Sequence, residues 1–134
     1  MTVENLTVTG DFGRKPALDF ASPTPSDELL VEVLVEGDGP AVEAGDEIRC
    51  HYLGQVWNGQ VFDNSYDRGQ PLAFQLGVGM VIRGWDEGLL GHKVGSRVLL
   101  SIPSEYGYGD RGVPQAGIRP GDTLVFVTDI VGVA

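Results

Sequence analysis

From Leu30 onward, apolar and polar residues alternate with a period close to two. In "DEIRCHYLGQVW" the alternation sets Ile48, Cys50 and Tyr52 on one face and Arg49 and His51 on the other, the pattern of a half-buried strand. "SRVLLSI" puts Val98, Leu100 and Ile102 on a common face, and "DTLVFVTDIVGV" does the same with Leu124, Phe126 and Ile130. "LLVEVLVEG" and "LAFQLG" add shorter strands, and Asn58-Gly59 just before "QVF" is a strong hairpin signal. Only "IRGWDEGLLGHKVG" has helical spacing. Leu89 and Leu90 fall three to five positions after Trp85 and Asp86, near one face, and Gly91 is a stop signal. The pattern predicts an α+β fold, an antiparallel sheet with one short helix against it.

Residues 1–28 have a different texture. "LTVTG" and "ALDF" read as short strands joined by the turn "GDFGRKP", and "ASPTPSDE" as a linker or extended edge segment. The chain thus divides into an N-terminal extension, 1–28, and a main domain, 29–134. Two states of the extension stay open: paired with the main sheet, or mobile.

The length of 134 residues is that of one domain. Twenty glycines and eight prolines fit a fold made of turns and strands. Nine basic against nineteen acidic residues leave a formal charge of -10, which repels phosphate backbones and argues against nucleic acid as the partner. No apolar run reaches the roughly 18 residues of a membrane span. Cys50 is the sole cysteine, so no intramolecular disulfide can form. "MTVENLTVTGDFG" lacks the basic and apolar regions of a secretory signal. A cytoplasmic protein is expected.

Conventional catalytic groupings are weak. Cys50 and His51 are strand neighbours and point to opposite faces, so they form no nucleophile–base dyad. Two histidines and one cysteine show no zinc-ligand spacing, and no metal or cofactor is expected. "GVGMVIRG" lacks the Lys-Ser/Thr of a phosphate loop. Asp86 and Glu87 diverge on a helix, whose N-terminus gives both a structural reason to be there. The aromatics are the unusual feature: Tyr52, Phe62, Tyr66, Phe74, Trp85, Tyr106, Tyr108 and Phe126 are spread over strands, helix start and a loop. Singly, each reads as core. Several lie beside polar groups, as Phe62 does beside Asp63, and a concave apolar site with a few rim polar groups is what a small-ligand or peptide pocket requires.

Together these residues resemble the FKBP family of peptidyl-prolyl cis–trans isomerases. The resemblance rests on "HYLGQVWNGQVFDNSYDRGQPLAFQLG", "VIRGWDEGLLGHKVGSRVLLSIPSEYGYG" and "TLVFVTDIVGV", in the family's order from about Leu30 to Val133. It implies a half-barrel of antiparallel strands around one short helix, and an isomerase acting on X-Pro bonds to assist folding. By resemblance, Trp85 forms the pocket floor, and Tyr52, Phe62, Phe74, Val81, Ile82 and Phe126 complete the lining. Asp63 matches the carboxylate beside that lining, Tyr108 the loop tyrosine that hydrogen-bonds ligand, and Ile82 the residue whose N–H meets a ligand carbonyl. Arg68 matches the partner of Asp63 and Tyr52, and Ile118 the apolar loop contact. Catalysis would rest with Tyr52, Asp63, Trp85, Tyr108 and Phe126. The implied partners are proline-containing peptides, unfolded proteins and macrolide inhibitors, bound by a monomer without a cofactor.

Val113 stands where many family members carry histidine or isoleucine, and Gln115 is a one-residue insertion after Pro114. The span from Tyr108 to Phe126 has no room for an inserted chaperone domain. The rival reading keeps the same pocket as a proline-peptide or macrolide-binding module, or a chaperone, with little turnover.

Overall fold

The computed structural model describes residues 3–133. Strands β1 (Leu6–Thr9) and β2 (Ala17–Phe20) form an antiparallel hairpin. The main sheet contains β3 (Leu30–Val35), β4 (Glu47–Val56), β5 (Val61–Asn64), β6 (Leu72–Gln75), β7 (Arg97–Ile102) and β8 (Leu124–Val133). Its order is β3-β7-β8-β4-β5, and every pair is antiparallel. The long strand β4 uses one edge twice: Glu47–Cys50 pair with β6, and Leu53–Gln55 with β5. A register irregularity at Gly54/Gln55 accompanies the second pairing, where an extra residue bends a strand and strengthens its twist.

The inner face carries the side chains that the alternation placed together. Ile48, Cys50, Tyr52, Val98, Leu100, Ile102, Leu124, Phe126 and Ile130 join one core. The helix α1 (Arg83–Gly88) closes it. Gly84 and Gly88 face the sheet: a Cβ at Gly84 would come within 2.7 Å of Ile102, and one at Gly88 within 2.5 Å of Leu100. Their missing side chains let the helix approach closely enough to press Trp85 into the core. Leu89 is fully buried, whereas Leu90 is exposed, so the expected shared face holds for Leu89 alone. The helix ends at Gly88, three residues before the expected stop at Gly91, which lies at φ 83° in the turn that follows.

The outer face is buried as well. Leu99, Val125 and Val127 form a second core with Val3 and Trp57. The hairpin β1–β2 lies over it through Leu6, Val8, Leu18 and Phe20. Phe20 meets Trp57 edge-on at 5.0 Å, and the Trp57 indole N–H donates to Ser22 O at 2.9 Å. The extension therefore takes neither of the two states left open by the sequence. It is a two-stranded sheet of its own, packed across the main one.

Candidate active site

Strand β4 delivers Tyr52, β5 delivers Phe62 and Asp63, β8 delivers Phe126, and α1 delivers Trp85. The four aromatics meet at a cleft of about 410 Å³ on the side of the sheet that faces α1. Trp85 is the floor, only 3% exposed. Tyr52 and Phe126 both meet it edge-on at 5.2 Å, and Phe62 meets Phe126 edge-on at 5.6 Å. Such contacts each contribute about 0.5–1.5 kcal/mol beyond area burial, so the walls and floor of the box hold one another. Val81 and Ile82 form one wall, and Tyr108, from the loop between β7 and β8, stands at the rim. Among the described residues, the Ile82 N–H makes no hydrogen bond, which leaves a donor at the cleft wall.

Asp63 is the polar centre of the rim. One oxygen accepts the Tyr52 hydroxyl at 2.5 Å and the other accepts Arg68 Nη1 at 2.6 Å, while Arg68 Nη2 donates to the Tyr52 hydroxyl at 2.9 Å. The three side chains close a triangle. Burial, followed by the hydrogen bond to Asp63, raises the Tyr52 pKa, and Arg68 partly opposes this. Burial and then the Asp63 charge raise that of Tyr108. Both phenols stay neutral, as hydrogen-bond donors, at physiological pH. Ser65, fully buried, fixes the Tyr52 backbone: its hydroxyl accepts Tyr52 N–H at 2.7 Å and lies 2.8 Å from His51 Nδ1.

The structure brings Tyr52, Phe62, Asp63, Val81, Ile82, Trp85, Tyr108 and Phe126 to one cleft. Phe74 is placed differently: it is buried, packs against Trp85 at 5.3 Å and supports the floor from below. Arg68 touches the cleft only through Asp63 and Tyr52. Ile118 is 2% exposed and pairs through its backbone with Val113, pinching the loop they share. Leu72, Gly79 and Met80, which the sequence did not single out, line the cleft. Leu72 had a signal, since it shares a strand face with Phe74, two residues on.

A carboxylate with both oxygens already engaged, beside apolar walls, is a binding arrangement with no nucleophile–base pair. Among the described residues no three His, Cys, Asp or Glu side chains gather to hold a metal ion, and no helix is long and apolar enough to cross a membrane. The cleft defines a protein that binds a compact apolar group and acts on it through its surroundings. A family model described as FKBP-type peptidyl-prolyl cis-trans isomerase matches residues 39–131. An FK506-binding protein of Streptomyces anulatus is 48% identical over 120 residues, covering 89% of this chain and 97% of that protein. The Arabidopsis thaliana peptidyl-prolyl cis-trans isomerase FKBP15-1 is 53% identical over 89 residues, 66% of this chain and 58% of its own length. The crystal structure of AtFKBP13 superposes with a TM-score of 0.73 at 41% identity, over 79% of this chain and 93% of that one. The chain belongs to the FKBP-type peptidyl-prolyl cis–trans isomerase family.

Proposed function

We propose that the cleft catalyses rotation about X-Pro peptide bonds and so assists protein folding. The observation that carries this reading is the open box formed by Trp85 with Tyr52 and Phe126 edge-on at 5.2 Å, a flat apolar seat for a proline ring. The barrier to X-Pro rotation, roughly 18–20 kcal/mol, comes from losing amide conjugation. Uncatalysed exchange takes on the order of tens of seconds. No bond breaks, so no nucleophile is required. In the twisted state the carbonyl loses its partial charge separation, and an apolar, water-poor cleft favours that state over the planar one. Phe62, Trp85 and Phe126 hold the ring, the free Ile82 N–H anchors a neighbouring carbonyl, and Tyr108 steadies the peptide. Binding the twisted form better than either planar form is the whole of the catalysis, and each 1.36 kcal/mol or so of preference gives about tenfold in rate.

The same cleft is our candidate site for macrolides of the FK506 type, on the strength of relatives named FK506-binding proteins. We further place the protein in the cytoplasm as a monomer. The single buried thiol and the charge of -10, which keeps copies apart, support that setting. Cell fractionation and size-exclusion chromatography test it.

The deciding experiment follows cis–trans exchange of a Leu-Pro tetrapeptide with and without FK506. Fast exchange that FK506 blocks is the expected result. Folded protein that binds FK506 but gives no exchange would make the cleft a recognition module instead.

A further inference from the structure

The turn of the N-terminal hairpin reaches further along the outer face it covers, to the polar pair Arg97 and Asp129 that lies next to Leu99 and Val127. Asp129 and Arg97 are buried at 0% and 1% exposure and pair with each other, Arg97 Nε to Oδ1 at 2.7 Å and Nη2 to Oδ2 at 2.8 Å. Two further donors converge on Asp129 Oδ2. One is the backbone N–H of Gly13, in the hairpin turn, at 2.8 Å; the other is the hydroxyl of Tyr66, in the segment after β5, at 2.7 Å. Two of the three remaining Arg97 N–H groups go to the turn, one on Nη1 to Gly10 O at 3.0 Å and one on Nη2 to Arg14 O at 2.6 Å. One buried carboxylate thus joins the hairpin turn to the 64–69 segment. A second link lies at the surface, where Lys15 Nζ meets Asp67 at 3.0 Å and Asp67 also accepts from Asn64 Nδ2 at 3.1 Å. The Lys15 hydrogen bond, then that of Asn64, lowers the Asp67 pKa.

That segment begins directly after Asp63 and carries Arg68, two corners of the rim triangle. Between them, Tyr66 stacks on His51 at 5.1 Å, and Ser65 holds Tyr52 N–H. We propose that the hairpin turn 10–15 is a positioning element of the active cleft: directly through Lys15–Asp67, and indirectly through Gly13, whose N–H shares Asp129 Oδ2 with the Tyr66 hydroxyl, it fixes the 64–69 segment, and with it the places of Asp63 and Arg68. This rests on the isomerase reading for its effect on rate, but not for its effect on the segment. An exposed ion pair such as Lys15–Asp67 is a weak clamp alone. A hydroxyl bond to a buried carboxylate is a stronger one. Lys15 and Tyr66 are therefore positioning residues that touch no substrate.

The test uses the full chain with Tyr66→Phe, Lys15→Ala and the double variant, plus Lys15→Arg as the conservative replacement. Tyr66→Phe keeps the ring on His51 and removes only the hydroxyl. Hydrogen exchange is followed at the Asp67 and Gly69 amides, which donate to Asn64 Oδ1 and to Ser65 O, and in parallel in β7 and β8; kcat and KM are measured on a Leu-Pro tetrapeptide. In the double variant, exchange at Asp67 and Gly69 should quicken roughly tenfold, with β7 and β8 unchanged. Turnover should fall severalfold, about threefold or more, and the Lys15→Arg protein should match the parent. Unchanged exchange at Asp67 and Gly69 in the double variant would overturn the proposal, and so would an effect that Tyr66→Phe carries alone with Lys15→Ala like the parent, since the Tyr66–Asp129 bond contains no residue of the turn. So would faster exchange there with kcat and KM both intact. Equal acceleration in β7 and β8 would reduce the contacts to global stability and also overturn it. A parent protein without turnover would remove the isomerase reading, and the segment's exchange would still decide whether the turn holds it.

Discussion

Both oxygens of Asp63 are occupied, one by the Tyr52 hydroxyl and the other by Arg68. A carboxylate so placed shapes the cleft and sets its potential, and each of its oxygens already holds one partner in place. Removing it leaves Tyr52 and Arg68 in contact through their own hydrogen bond at 2.9 Å. Asp63→Ala should therefore weaken turnover without abolishing it, lowering kcat/KM by roughly tenfold, the equivalent of about 1.4 kcal/mol. Its effect on Tm should be small, because the Arg68–Asp63 pair is about half exposed on both sides and such pairs are worth little to stability. Tetrapeptide kinetics beside a thermal melt separate the two. A folded Asp63→Ala protein with no turnover at all would contradict catalysis by apolar surroundings and give the carboxylate a direct chemical role.

At the scale of elements, the cleft wall depends on a brace between the helix and the loop before it. Asp86, in the first turn of α1, accepts Gly77 N–H at 2.8 Å on one oxygen and Gly79 N–H at 2.9 Å on the other. The loop so held carries Met80, Val81 and Ile82 along the cleft. Asp86→Ala should free this loop, raising KM several-fold, about threefold to tenfold, while kcat changes less; Asp86→Asn, with one acceptor oxygen left, should fall between. Steady-state kinetics on one peptide series would show it, and an unchanged KM would mean the loop keeps its shape unaided. The sequence told only part of this. Asp86 read as a helix-end carboxylate, because its two acceptor bonds go to a loop with no periodicity to betray its path. Met80 was missed for the same reason. The faces of β4, β7 and β8 that meet the helix were legible, since Ile48, Cys50, Tyr52, Leu100 and Phe126 follow a period of two. The second core was not: all six residues of β7 are buried, and Arg97 and Ser101 make its outer face look solvent-facing in the sequence although that face is covered as well. Trp85 as floor was legible through family likeness. Phe74 and Leu72 share one strand face, and only their position along β6 relative to α1 assigns the first to the support and the second to the lining.

For the molecule as a whole, burial places two proton-bearing groups, Cys50 in the inner core and the half-buried Tyr66, where ionisation is costly. Burial, and then the charge of Asp129, push the Cys50 thiol from an ordinary 9.0 up to about 12. Burial also raises the Tyr66 phenol, aided by its hydrogen bond to Asp129 and that group's charge and partly opposed by Arg97. In both cases the folded pKa lies above the unfolded one, so the unfolded chain gives up the proton first as pH rises. The stability these groups contribute is therefore complete below their unfolded pKa values and is lost as pH climbs through the gap. For Cys50 the window runs from about 9 to about 12, and for Tyr66 it opens near 10. Each group steepens the decline by at most about 1.4 kcal/mol per pH unit while its window lasts. Urea denaturation in the presence of a reductant, at pH 7, 8, 9, 10 and 11 (about one unit apart), should give nearly constant stability to about pH 8.5 and a steepening loss beyond. Cys50→Ala should lower stability at pH 7, through the small cavity it leaves, yet flatten the decline between about pH 9 and 10. Tyr66→Phe should leave that interval alone and flatten the next. If Cys50→Ala declines in parallel with the parent throughout, the buried thiol is not the group that titrates, and alkaline loss of the fold begins elsewhere.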